Sequence, residues 1–332
     1  MIIKTPFSHF FNMDCYDHGV SDYEYDDYND DEQAKKYAYT DPWWNTNTLK
    51  LWMSRGAPVA NHVSQLYLKD VDLPDEIGNL ESLSTLDVCD FTAYLPLSVF
   101  GFRNLTTLAI VNTPITVVAP EIGLLLNLSV LTISDTHITT LPREIENLLL
   151  LTQVDISSNR FSEFPLSLCA LPGLESLDVS YNALTMLPVE FSQLTRMHRL
   201  NVSNNLFSEF PLPITLLYNL GKLDISDNQL TELPPAIGDL KSLGCLCVDG
   251  NSINTLPQEM VKLTHIYSVI ARRNPLVDIG KSRDFGMLLV VCVDDYLEDV
   301  IRKDDYSFTI IFEPVEEGKA DTKPAKSEKS VQ

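Results

Sequence analysis

Leu174-Glu-Ser-Leu-Asp-Val-Ser-Tyr-Asn-Ala-Leu-Thr-Met-Leu-Pro-Val-Glu-Phe-Ser-Gln-Leu-Thr-Arg196 decides the fold. In its first half, apolar Leu177 and Val179 alternate with Asp178 and Ser180, which is the signature of a short strand with one buried face. In its second half, Pro188 suits the first turn of a helix, and Phe191 and Leu194 follow three residues apart, the spacing of a helical or 3₁₀ turn. A 23-residue strand-and-turn unit cannot bury its apolar side alone, so it has to stack on copies of itself.

Those copies are present on both sides. The pattern Leu-x-x-Leu-x-Leu-x-x-Asn starts at Leu128, Leu151, Leu174, Met197, Leu220, Leu243 and Ile266, each 23 residues after the last. Upstream, Leu105, Leu83 and Val63 continue it with steps of 23, 22 and 20. A Leu-Pro or Phe-Pro step recurs at Pro142, Pro165, Pro188, Pro211, Pro234 and Pro257. The expectation is an α/β architecture: a right-handed solenoid with a parallel concave sheet of about ten short strands, spaced about 4.8 Å apart. Helical or 3₁₀ turns should form the convex side, with both ends capped. Asn159, Asn182, Asn205, Asn228, Asn251 and Asn274 form a ladder. Their side-chain amides are expected to satisfy turn backbone groups that stacking would otherwise bury unpaired.

These motifs resemble those of leucine-rich-repeat proteins of the 23-residue class with a Leu-Pro step. That class is similar to cytosolic Ras-group scaffolds and to many bacterial repeat proteins. The resemblance covers about residues 59–275 and implies a horseshoe solenoid that binds proteins. It weakens at the N-terminal end, where the ladder position is Val71, Phe91, Thr113 and Thr136. Those units are expected to be less regular, bulged or less stable.

The flanks differ in kind. Residues 1–41 include Ser21-Asp-Tyr-Glu-Tyr-Asp-Asp-Tyr-Asn-Asp-Asp-Glu32, a block that reads as an acidic disordered arm. This arm is expected either to solvate the chain or to bind a basic surface, Arg272 and Arg273 included. Thr40-Asp41-Pro42 is a good helix start, so residues 42–58 are expected to cap the N-terminal end of the core. The apolar runs 287–293 and 307–312 suggest a mixed helix and strand cap over 276–313, beyond which the period ends. Residues 314–332 read as a disordered tail.

The chain has 332 residues and a net charge of −22. A surface this acidic repels nucleic-acid phosphates and anionic headgroups, so neither nucleic acid nor membrane is an expected partner. Residues 1–45 carry −7 and the repeats, 59–275, carry −12. No apolar run reaches membrane-span or signal-peptide length, and the six cysteines show no end-cap clustering. They read as free thiols of a cytoplasmic, monomeric protein with no cofactor and no metal.

Outward strand positions line the expected binding face. They include Asp87, Asp155, Asp178, Tyr181, Asn201, Asp224, Asp227 and Asp249, with cations at Lys69, Arg199, Lys222, Arg272 and Arg273. The functional reading is a non-enzymatic scaffold, active in signalling, whose concave face takes a basic patch on a protein partner. The plainer reading is that Asp and Ser at these positions belong to the repeat's own chemistry. Two alternatives stand beside it. One is a bacterial effector delivered into a host cell. The other is a ubiquitin ligase using Cys292-Val-Asp294, although only about 57 residues follow the repeats.

Overall fold

Each repeat forms one short strand and one 3₁₀ turn. The structure, a computed structural model, describes residues 63–91, 94–277, 290–294 and 309–313. The acidic arm, the N-terminal cap helix, the helical part of the C-terminal cap and the tail lie outside the described residues. The chain forms two compact units, Met1–Ala183 and Leu184–Gln332.

In the first unit, β1 (Gln65–Lys69), β2 (Thr85–Cys89), β3 (Thr107–Val111), β4 (Val130–Ser134), β5 (Gln153–Asp155) and β6 (Ser176–Asp178) pair in parallel, each with the next. The second unit repeats this with β7 (Arg199–Asn201), β8 (Lys222–Asp224), β9 (Cys245–Cys247), β10 (Ser268–Ile270), β11 (Val290–Asp294) and β12 (Thr309–Glu313). Successive partners such as Gln153↔Ser176 and Lys222↔Cys245 are 23 residues apart. The repeat period therefore sets the register.

The 23-residue period ends at Asn274, as the sequence pattern suggested, but the sheet continues. Ser268 pairs with Val290 and Val290 with Thr309, so the sheet takes two further parallel strands at steps of 22 and 19. These strands escape the pattern because they lack the Leu-x-x-Leu-x-Leu signature. The first register steps, 20 and 22 residues, keep the expected irregularity, but the expected bulge does not form. Strands β1 to β4 are five residues long and pair one to one without a bulge, whereas β5 to β10 are three residues long. Apolar Val71 and Phe91 fill the ladder position by simple burial instead of hydrogen bonding. Thr113 is buried there too, and its hydroxyl has no hydrogen-bond partner.

The turns on the other side are five-residue 3₁₀ segments, such as Arg143–Asn147 and Val189–Gln193, each preceded by an extended proline. The proline's carbonyl accepts from the amide three residues on, as in Ile145 N–H to Pro142 O at 3.2 Å and Phe191 N–H to Pro188 O at 3.1 Å. Ile145, Leu148, Phe191 and Leu194 from these turns join the strand residues Leu151, Val154, Leu174 and Leu177 in the core.

The asparagine ladder has a constant geometry. Asn228 donates from Nδ2 to the carbonyls of Val202, Ile225 and Ser226 at 3.0–3.2 Å, and its Oδ1 accepts from Phe207 N–H at 3.1 Å. Asn159, Asn182, Asn251 and Asn274 each also bind a carbonyl of the preceding repeat. Asn205 holds Leu184 N–H at 2.9 Å.

Candidate functional site

The residue before each ladder position adopts a left-handed backbone. Asp70, Asp90, Asn112, Asp135, Ser158, Tyr181, Asn204, Asp227, Gly250 and Arg273 all have φ between 49° and 60°. This lets the chain leave the sheet face and turn toward the ladder. Gly, Asn and Asp tolerate that conformation best. Tyr181 and Arg273 are the bulky exceptions, and Tyr181 is 60% exposed.

The open face of the first unit is acidic. Asp155 and Asp178 sit directly opposite one another on β5 and β6. Asp155 is buried, and burial, followed by the charge of Asp178, pushes its carboxyl up to about 7. Asp87 on β2 is buried between Tyr67 and Ala109 on the neighbouring strands, and that burial raises its carboxyl to about 6. Asp90 pairs with Lys69 at 3.3 Å and with the amide of Asn112.

The recurring Asp-x-Ser is local chemistry. Asp155 accepts from Ser157 N–H at 2.8 Å. Asp178 accepts from Ser180 N–H and Oγ at 2.9 and 2.6 Å, and Asp224 accepts likewise from Ser226. Asn201 makes the same turn with Ser203 N–H at 3.0 Å. These side chains therefore end their own strands, as Asx turns do elsewhere.

In the second unit, two candidate cations are engaged internally. Arg272 meets Asp249 with its backbone N–H at 2.7 Å, Nε at 3.0 Å and a terminal nitrogen at 2.9 Å. Arg273 makes two bonds to Asp227 at 2.6 and 3.1 Å. Asp249 is buried, and burial raises its carboxyl despite Arg272, whose charge and hydrogen bonds pull the other way. Arg199 is exposed on β7, directly opposite Lys222 on β8. The sequence reading missed the purpose of Gly250. A Cβ there would lie 2.3 Å from Asp227 Oδ1 and 3.0 Å from an Arg273 nitrogen, so the ion pair requires glycine beneath it.

The cysteines correct one expectation. Cys89, Cys169, Cys247 and Cys292 form no disulfide, but Cys245 is disulfide-bonded. Burial drives the thiols of Cys89, to about 11, and Cys247 upward, which makes them poor nucleophiles. Cys292 is buried in β11. Among the described residues, no group of His, Cys, Asp and Glu side chains is placed to hold a metal ion, and no helix is long and apolar enough to cross a membrane.

Comparisons agree with this geometry. The leucine-rich-repeat family models match residues 150–207 and 219–240. A comparison with curated protein sequences finds no match. Among solved structures, a leucine-rich-repeat protein of Leptospira interrogans is 25% identical with a TM-score of 0.62, over 75% of this chain and 69% of that one. Internalin C2 of Listeria monocytogenes is 24% identical with a TM-score of 0.53, over 60% of this chain and 84% of that one. The functional domain of InlJ from the same organism is 19% identical with a TM-score of 0.56, over 76% of this chain and 54% of that one. The repeat spacing, the asparagine ladder and these likenesses converge on leucine-rich repeats, which the family models match over residues 150–207 and 219–240.

Proposed function

We propose that this protein is a non-enzymatic interaction module, a scaffold in signalling, that holds a protein partner on the open, concave face of its sheet. Tyr181 carries the reading. It occupies a left-handed position that costs a bulky side chain roughly 1–2 kcal/mol, and most of its surface is in water. No hydrogen bond or ion pair of its side chain among the described residues offsets that cost, and strain of this kind persists where a site uses it. Tyrosine is also a favoured interface anchor. Around it, the first unit's described residues 63–183 hold four Lys and Arg against fifteen Asp and Glu, a net of −11. That balance favours a basic patch on the partner. Buried Cys292 and the raised thiols of Cys89 and Cys247 offer no nucleophile that would favour the ligase alternative.

Affinity capture with the full chain tests this, comparing wild type with the combined variant Asp135→Lys, Asp178→Lys, Tyr181→Asn. A partner bound by wild type should be lost from the variant while both proteins give the same far-UV circular dichroism. A variant that keeps every partner would show that this face is not used.

A further inference from the structure

We propose that the first unit carries a binding site for an uncharged, apolar small molecule, in a cleft between the repeats of β2 and β3. The cleft lies on the flank where the chain passes from the sheet to the 3₁₀ turns. That is beyond the strand positions that carry the protein-binding reading, and the site is independent of that reading.

The cleft follows from an irregularity of chain length. From the ladder position to the residue that opens the 3₁₀ turn, the chain takes six steps in three successive repeats: Thr113 to Ala119, Thr136 to Pro142 and Asn159 to Pro165. From Phe91 to Pro96 it takes five. One residue fewer is therefore available to cover the loop of the β3 repeat. The effect shows two residues beyond the ladder. Ile138 and Phe161 are buried there, whereas the equivalent Ile115 is only half-buried and lines the cleft. The cleft has a volume of about 390 Å³, within the roughly 300–1,000 Å³ of small-molecule sites.

The lining says what belongs in it. Buried Phe100, Ile110 and Ile122 form the floor, and Tyr94 and Val117, 71% and 76% exposed, stand at the mouth. Counted back from the residue that opens the turn, Tyr94 and Val117 hold the position of Thr140 and Glu163 in the next two repeats. Both of those are exposed. A solvent-facing position that the more regular repeats give to a polar side chain is thus apolar only where it borders the cleft, and adjoining exposed apolar side chains mark a binding site. Thr116 and the Tyr94 phenol are the polar side chains of the lining, and none of its residues is charged. A charged ligand would lose its hydration there with no counter-charge to replace it. An apolar one gains by every part of its surface that leaves water. A stable protein interface takes about 800 Å² from each partner, far more than a mouth edged by two exposed side chains offers. A compact molecule held mostly below the rim is the occupant that fits.

The test is a fluorescence titration of the full chain with phenylnaphthylamine, an uncharged probe that brightens in apolar surroundings, and with its sulfonated analogue anilinonaphthalene sulfonate. The uncharged probe should bind saturably, and about tenfold or more tighter than the sulfonate. In Tyr94→Thr/Val117→Glu its affinity should fall about tenfold or more, because a carboxylate then stands at the apolar mouth. Threonine and glutamate already occupy this column in the following repeats, so the thermal melt should match wild type. Should the double variant melt lower, Val117→Glu alone, at the more exposed of the two positions, carries the same test. Absence of saturable binding, or equal binding to the variant, overturns the site. A sulfonate that binds as tightly as the uncharged probe overturns the ligand class. Wild-type self-association that Val117→Glu abolishes, with no probe bound, would give the cleft to a second copy of the chain and overturn the proposal as well.

Discussion

Arg273 reaches back two repeats and donates two hydrogen bonds to Asp227, passing directly over Gly250. Three successive left-handed positions thus form one unit: a carboxylate, a bare glycine and a guanidinium. Burial works against the arginine's charge, but its hydrogen bonds to Asp227 prevail and push its pKa further up. Gly250→Ala should therefore be costly twice over. Its φ of 60° disfavours any side chain, and the added carbon collides with the carboxylate. The expected loss is about 1–3 kcal/mol, combining left-handed strain with the broken pair, read by urea denaturation. A variant as stable as wild type would mean that the pair does not lie where it is placed.

Arg272 should matter more than an exposed arginine, because its partner Asp249 is buried. Removing one member of a buried pair strands the other, at roughly 3–5 kcal/mol; partial exposure of Arg272 puts Arg272→Ala toward the lower end. The pH dependence gives a sharper check. Asp249 already has a raised pKa in the folded state, so its contribution is most favourable below the unfolded value and is lost as pH rises through the folded one. Removing Arg272 raises that pKa further. The variant's deficit should thus be largest near pH 8 and shrink toward pH 4. A deficit independent of pH would contradict the pairing.

Much of this was legible in the sequence, for a physical reason. A 23-residue period imposes its own register, so Leu174 and Asn182 announce both strand and turn. Asp178 and Ser180 were visible as outward residues, but the sequence could not show them bonded to each other. Arg272 and Arg273 looked like open cations because their partners lie 23 and 46 residues back. β11 was missed as a repeat strand because its register steps of 22 and 19 break the 23-residue period and its core residues are Val291 and Val293 in place of leucines.

Asp155 offers the opposite test, a substitution that should stabilise. Its carboxylate is buried beside Asp178, and its folded-state pKa lies well above the ordinary carboxylate range. Ionising it at neutral pH therefore opposes folding. The protein itself shows the remedy: at the equivalent position Asn201 makes the same bond to Ser203 without a charge. Asp155→Asn should gain about 2–4 kcal/mol near pH 8, at 1.36 kcal/mol per unit of relieved shift. The gain should close as pH falls through the window from about 7 down to the unfolded value near 4, where the wild-type carboxyl is neutral too. Melting curves at pH 4 and pH 8 decide it; an equal or lower Tm for the variant at pH 8 would refute the burial argument.

Tyr181 separates folding from binding. Elsewhere in its column the chain uses Asp, Asn, Ser, Gly or Arg, and short Asn reaches the left-handed region at less cost than an aromatic. The ring is mostly exposed, so removing it forfeits little buried area. Tyr181→Asn should therefore leave stability unchanged or raise it by about 0.5–1 kcal/mol, while weakening any partner held on the first unit's face by tenfold or more, as an aromatic anchor does. A residue kept for the fold would behave the other way, with a lower Tm and no change in affinity. Paired melting and binding measurements on this one variant distinguish the two roles, because they predict opposite signs in both.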